Sequence, residues 1–455
     1  MKKRIVPLLA FCLALTLAGC GGSGGSSGAS AGSAVAGKKE GSIYYLNFKP
    51  EVADVYQKVA AAYTEATGVE LRVVTAASGT YEQTLKSEMA KSDAPTLFQI
   101  NGPLGYLNWQ DYCADLSDTQ LYQHLNDPSL AVTSKDGVYG IPYVVEGYGI
   151  LYNEAILRKY FAMTGAKAAS VDEINNFEKL QEVVEDMTAK KEQLGIDGVF
   201  ASTSLKPGED WRWQTHLANI PLSYEWSRSN VDLTGDATRE IAFFYSENYK
   251  KIFDLYLNNS TVDRKLLGTR QVMDSMAEFA LGRCAMVQNG NWAWNDIKGV
   301  DGNTVGEEDV KFLPVYTGMD GEENQGLCIG TENFFCINAK ASENDQKLAA
   351  DFIYWLFSSD TGKKLVKEDL GFIAPFDTFS ADEYPEDPLA REVADWMNKE
   401  GIQNIPWNFT LFPGQTFKDH FGGALLQYAQ GNMEWADVVT QVVDDWKTES
   451  ANRTV

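Results

Sequence analysis

Ile43-Tyr44-Tyr45-Leu46, then Pro50 with Val52, Val55, Tyr56, Val59 and Tyr63, then Gly68-Val69 with Leu71 and Val73: the fold class is written in this run. The first four residues read as a buried strand. Pro50 suits the first turn of a helix, where its missing N–H costs nothing, and the apolar residues after it recur at helical spacing until Gly68 stops them. Val69, Leu71 and Val73 alternate as a strand does. Working outward, a second helix is expected over 81–91 and a third strand over 95–100. This β-α-β-α-β rhythm predicts an α/β lobe with a largely parallel sheet.

Further along, Ser170 with Glu173 reads as a capping box ahead of Ile174, Phe177, Leu180, Val184 and Met187, which share one helix face. Helices are expected over 240–257 and 274–281. A strand over 333–338 and a helix over 345–357 restore the α/β order. Near the end, Trp435, Val438, Val439, Val442 and Trp446 form the apolar stripe of an amphipathic helix.

The first residues carry a different message. Lys2, Lys3 and Arg4 precede an apolar stretch, 5–17, that is too short to span a bilayer. It runs into Leu17-Ala18-Gly19-Cys20, which looks like a bacterial lipobox, with Cys20 as the lipidated N-terminus after cleavage. Two acyl chains anchor stably, so the expected product is tethered to the membrane through lipid alone. Residues 21–41 are nearly all Gly, Ser and Ala, a flexible tether.

The chain has 455 residues and a formal charge of −24, with three of its cations in the leader. Such a surface repels nucleic acid and suits a neutral or cationic ligand. Cys113, Cys284, Cys328 and Cys336 form no CxxC pair and the three histidines are scattered, which argues against zinc. Buried free thiols are expected, with one disulfide left open as an alternative. Enzyme-like patterns fail in context. Gly21-Gly22-Ser23-Gly24-Gly25 and the P-loop-like 32–38 lie in the tether, and Asp301-Gly302-Asn303 lacks the later ligands of a calcium loop.

Three stretches set aromatic and hydrogen-bonding groups side by side. They are 141–153 with Tyr143, Glu146, Tyr148 and Tyr152; Gln288-Asn289-Gly290-Asn291-Trp292-Ala293-Trp294; and Glu209-Asp210-Trp211-Arg212-Trp213. Aromatic planes cover the C–H faces of a sugar ring, while carboxylates and amides satisfy its hydroxyl belt. Trp355, Trp396, Trp435 and Trp446 have apolar helical neighbours and are expected in the core. In each spaced pair, Trp211/Trp213 and Trp292/Trp294, an extended segment would point the two rings in opposite directions, so one member is expected to be structural.

From about Ser42 to Trp446 the chain resembles the family 1 extracellular solute-binding proteins, the group that contains maltose-binding protein. The blocks that carry the likeness are Thr67-Gly68-Val69, Gly140-Ile141-Pro142, Tyr152-Asn153, 282–286 and 338–362. The resemblance implies a periplasmic-binding-protein type II fold: α/β, two-lobed, with two mixed sheets flanked by helices around a hinged cleft. It divides the chain into a signal peptide (1–19), a lipidated tether (20–41), an N-lobe (42–146 with 334–375) and a C-lobe (149–330 with 378–455). Crossings between the lobes are expected near 145–149, 329–334 and 374–379.

The resemblance also implies site residues. Glu146 matches a hinge-region glutamate that contacts sugar, and Trp292 matches a tryptophan that stacks on it. Glu209 and Trp211 resemble a glutamate and a tyrosine flanking the same sugar. Asn47 and Phe48 follow the first strand where N-lobe contacts fall, and Asn101 and Asn289 complete the candidate set. The aspartate expected beside Asn47 is missing, and Asn101-Gly102-Pro103 replaces an Asp-Arg pair, which separates this chain from the maltose pattern.

The implied function is capture of an oligosaccharide at the outer face of the cytoplasmic membrane and delivery to the transmembrane subunits of an ABC permease. The protein would act as a monomer, without cofactor, metal or catalytic residue. Two other readings stay open at this point. One is a binding protein for a cationic or peptide solute. The other is a lipid-anchored glycoside hydrolase using Glu146 and Glu209.

Overall fold

The computed structural model describes residues 41–451 except 78, 135, 136, 234, 235, 381, 382 and 384. The leader, Cys20 and the rest of the expected tether up to residue 40 lie outside the described residues. No helix among the described residues is long and apolar enough to cross a membrane.

Among the described residues, twelve strands form two mixed sheets. The first five are β1 (Ser42–Asn47), β2 (Glu70–Thr75), β3 (Leu97–Asn101), β4 (Val132–Ser134) and β5 (Gly137–Pro142). Next come β6 (Glu146–Asn153), β7 (Gly198–Phe200), β8 (Cys284–Gly290) and β9 (Val310–Leu313). The last are β10 (Gln325–Gly330), β11 (Asn333–Ile337) and β12 (Gln403–Pro406). One sheet has the order β2-β1-β3-β11-β5-β4, and the other β12-β10-β6-β8-β7 with β9 also on β6.

The opening run folds as its periodicity predicts. The helix Ala53–Thr67 buries Tyr56, Val59, Ala60 and Tyr63, and Gly68 ends it at φ 75°, a left-handed cap that glycine adopts without strain. Strand β1 lies parallel to β2 and to β3. The rest of the sheet departs from the expected parallel order, because β11 runs antiparallel to both β3 and β5. It arrives from the other sheet through the short passage after Gly330, not through a helical crossover, so it enters in the opposite sense.

Helix signals held less well at 170–177. Ser170 precedes only a short 3-10 turn, Val171–Glu173, and the long helix starts at Phe177, where the Asn176 side chain accepts from Lys179 N. Among the tryptophans expected in the core, Trp435 and Trp446 are buried. Trp355 and Trp396 are partly exposed, sitting at the rim of their helix faces. Cys113, Cys284, Cys328 and Cys336 are buried free thiols.

The sheets meet where the chain passes between them. Val145 N donates to Ile373 O at 2.8 Å, and Glu146 pairs with Gly330 across β6 and β10. Three separate stretches of chain therefore run side by side at the junction. Two rims also approach closely. A Cβ on Gly102, at φ +64°, would come within 2.8 Å of Thr410 Cβ, and one on Gly79 would lie 2.3 Å from Gly208 O.

Candidate functional site

The carboxyl ends of β1 and β3 open toward this junction, the usual place for ligands in open α/β sheets. Asn47 ends β1. Its amide donates to Lys49 O (2.9 Å) and Thr75 Oγ1 (3.1 Å), while its Oδ1 accepts from Lys49 N (3.2 Å). Asn47 is fully buried and works on the turn itself. With Pro50 next in sequence, it fixes the backbone from which Lys49 reaches inward. Phe48 turns the other way, edge-on to Tyr81 at 5.1 Å.

Lys49 Nζ lies 2.6 Å from Glu146 Oε1 and 3.6 Å from Glu51 Oε1; Lys49 and Glu146 are nearly dry and Glu51 is mostly buried. It also stands 5.9 Å from the centre of the Trp292 ring. Burial works against the ammonium, but the charges of Glu146, Glu51 and Glu332 outweigh it, so the Lys49 pKa ends above its ordinary value. Glu51 is pushed up to about 7, mainly by burial and only partly relieved by Lys49. At β3, Asn101 Nδ2 donates to Glu332 Oε1 at 2.8 Å. Burial raises Glu332 as well, with Lys418 and Lys49 opposing the shift.

The facing wall is made of rings. Arg212–Leu217 is a π-helical turn, wider than an α-helix. In an α-helix, residues five apart do not face each other. Here Trp211 and His216 meet at 4.8 Å between ring centres. Trp292 lies 5.8 Å from each, and Trp407 and Phe409 close the cluster at 5.6 and 4.5 Å from His216. Burial and the nearby Arg212 hold His216 neutral. Its Nε2 and the Trp407 Nε1 are buried without a hydrogen-bond partner. Arg212 stacks on Trp211 at 4.0 Å.

Trp292 is placed by its neighbour. Asn291 Oδ1 accepts from Gly147 N (2.9 Å) and Asn291 N donates to Gly147 O (3.1 Å), which ties the end of β8 to the start of β6. The spaced pairs divide as expected but for another reason, since both segments are helical and not extended. Two residues span about 200° on a helix, again opposite faces. Trp213 and Trp294 are buried, whereas Trp211 and Trp292 are partly exposed.

The profile of the family described as bacterial extracellular solute-binding protein matches residues 58–392. The chain belongs to that family. Over 164 residues the solute-binding protein is 34% identical to the melibiose/raffinose/stachyose-binding protein MelE of Bacillus subtilis, which covers 35% of this chain and 36% of that protein. The alignment thus spans about a third of the curated relative. Among solved structures, a chitin oligosaccharide binding protein superposes with a TM-score of 0.69 at 17% identity, covering 90% of this chain and 99% of that one. RafE in complex with raffinose gives 0.66 at 15% identity, again over 90% and 99%. These likenesses establish the two-lobed fold.

Of the residues read from sequence, Glu146, Trp211 and Trp292 come together at the junction of this binding protein. Glu209 stands nearby, with its carboxylate held by Lys206 Nζ (3.0 Å) and Val272 N (2.7 Å). Asn289 is fully buried and turned away, its amide against Met276 Sδ. Asn101 is bound to Glu332, as described. Sequence reading missed Lys49, Glu51, Glu332, His216, Trp407 and Phe409. Lys49 stands 97 residues from its main partner, and His216 joins the rings only through the π-helical turn.

Proposed function

We propose that this chain is the lipid-anchored solute-binding subunit of a bacterial ABC importer, capturing an oligosaccharide in the cleft between two hinged lobes. The lobes comprise 42–146 with 334–375 and 149–330 with 378–455. The observation that carries this reading is the ring wall of Trp211, His216 and Trp292 facing the Glu146 carboxylate. Rings take the C–H faces of a sugar, and the buried, unpartnered His216 Nε2 and Trp407 Nε1 are suited to its hydroxyls.

Trp292, Trp211 and Glu146 are the ligand contacts in this proposal. Asn47, Asn289 and Glu209 hold the surrounding backbone, Asn101 holds the Glu332 carboxylate, and Phe48 packs at the rim. The crossings at Glu146–Gly147 and Gly330 serve as the hinge, and a ligand touching both lobes favours the closed form by its preferential affinity for it. The loaded monomer then docks on the permease at the extracellular face of the cytoplasmic membrane, held there through Cys20. No bond is broken, so no catalytic residue is assigned. MelE and the raffinose complex favour an oligosaccharide over other solutes.

Titration calorimetry with raffinose, stachyose, maltose and chito-oligosaccharides is the direct test. Saturable binding of at least one is expected. Binding of peptides or polyamines with none to sugars would overturn the reading, and release of new reducing ends would replace it with a hydrolase.

A further inference from the structure

We propose that Lys49 acts as a built-in counter-cation that sets the charge class of the solute. Its ammonium group takes the seat between Glu146, Glu51 and the Trp292 ring where a cationic solute would bind, leaving a cleft for neutral ones. The inference deepens the oligosaccharide reading and rests on it for the nature of the neutral solute.

A carboxylate pair beside an indole face is a set of groups that recognises ammonium ions. Here that set is complete, but its cation comes from the chain itself. Lys49 Nζ contacts Glu146 Oε1 at 2.6 Å and Glu51 Oε1 at 3.6 Å, and stands 5.9 Å from the Trp292 ring centre. The lysine is 4% exposed and Glu146 is 2% exposed, so neither is an idle surface charge. Its position is also built. Asn47 grips the Lys49 backbone on both sides of the peptide, from the end of β1. Without Lys49, the buried Glu146 carboxylate would stand with no cation beside it. An unpaired buried charge is costly, and an incoming ammonium would relieve that cost.

The arrangement separates two properties usually merged in a binding site. Glu146 can accept a sugar hydroxyl with its second oxygen while Lys49 neutralises its charge, so the carboxylate keeps its directional chemistry without attracting cations.

The test compares wild-type protein with Lys49→Met, which keeps an unbranched side chain one atom shorter and removes the charge. Spermidine and n-butylammonium chloride are the probes, read by tryptophan fluorescence and by thermal shift at constant ionic strength. Wild type is expected to show no saturable response to spermidine in the low-millimolar range. Lys49→Met is expected to bind spermidine at least about ten-fold more tightly, and the further change Glu146→Gln to abolish the gain. Equal spermidine affinity in wild type and Lys49→Met overturns the proposal. Tight spermidine binding by wild type overturns it also, and needs no variant, so a variant that fails to fold leaves the idea exposed to refutation. The oligosaccharide reading fails separately, if no sugar binds wild type. The spermidine comparison then still decides the role of Lys49.

Discussion

The two walls of the cleft are built from opposite materials. The first sheet and the crossings present charge: Lys49, Glu51, Glu146 and Glu332, delivered by strand ends and the turns that follow them. The second sheet and its helices present rings: Trp211, His216, Trp292, Trp407 and Phe409, delivered by a π-helical turn and helix starts. Rings bind by area and shape, so they tolerate small displacements. A buried ion pair demands near-contact geometry, and its removal from one side leaves a charge stranded. In the proposed site, the ring wall would thus serve affinity, and the charged wall the choice of ligand.

That contrast can be broken in several ways. The largest effect belongs to a ring that is not in the wall. Trp213→Ala should lose about 3–5 kcal/mol of stability in denaturant unfolding, because Trp213 is fully buried and donates to Ser204 O, whereas Trp211→Ala should lose far less. Equal losses would erase the distinction between wall and core. Next, Trp292→Ala should weaken oligosaccharide binding by about 2–3 kcal/mol in calorimetry, with an unfolding midpoint close to wild type. An unfolded variant would make Trp292 a core residue.

Glu146→Gln should weaken the same binding by about 1–2 kcal/mol while the circular dichroism spectrum is preserved. Unchanged affinity would remove Glu146 from the contacts. The smallest effect is a pH slope. Glu51 rises from its ordinary 4.5 to about 7 in the folded protein, and Asp210 from 3.8 to about 7, both chiefly through burial. The folded state then holds protons that the unfolded state has released, so stability should fall as pH rises from about 4.5 to about 7 and level off above that. Glu51→Gln should flatten the fall of the melting temperature across that window. A slope that is unaltered would place Glu51 in contact with solvent.

Much of the fold was legible because it is encoded locally. The helix that ends at Gly68, the strand after it and the apolar stripe from Trp435 to Trp446 each follow from spacing within one turn or one pleat. The antiparallel entry of β11 was not legible, since strand direction depends on a partner more than 200 residues away. The expected cap at Ser170 lost to Asn176 for a related reason. Glu322 accepts from Phe177 N at 2.6 Å, a contact across 145 residues that favours the later start.

The site divides in the same way. Trp211 and Trp292 stood out because polar neighbours surround them in sequence, and Glu146 through the family resemblance. His216 had no such signal. Its i+5 relation to Trp211 has meaning only once the turn widens into a π-helix, and α-helical periodicity hides it. The sequence alone determined the α/β order, the acidic balance and the aromatic–carboxylate chemistry, all properties of short segments and of sums over the chain. Tertiary structure alone decided which groups face one another. It brought Lys49 to Glu146 and Glu51 and turned the Asn47 and Asn289 side chains inward. Charge pairing and ring stacking act over a few ångströms, and only the folded chain carries residues this distant in sequence within that reach.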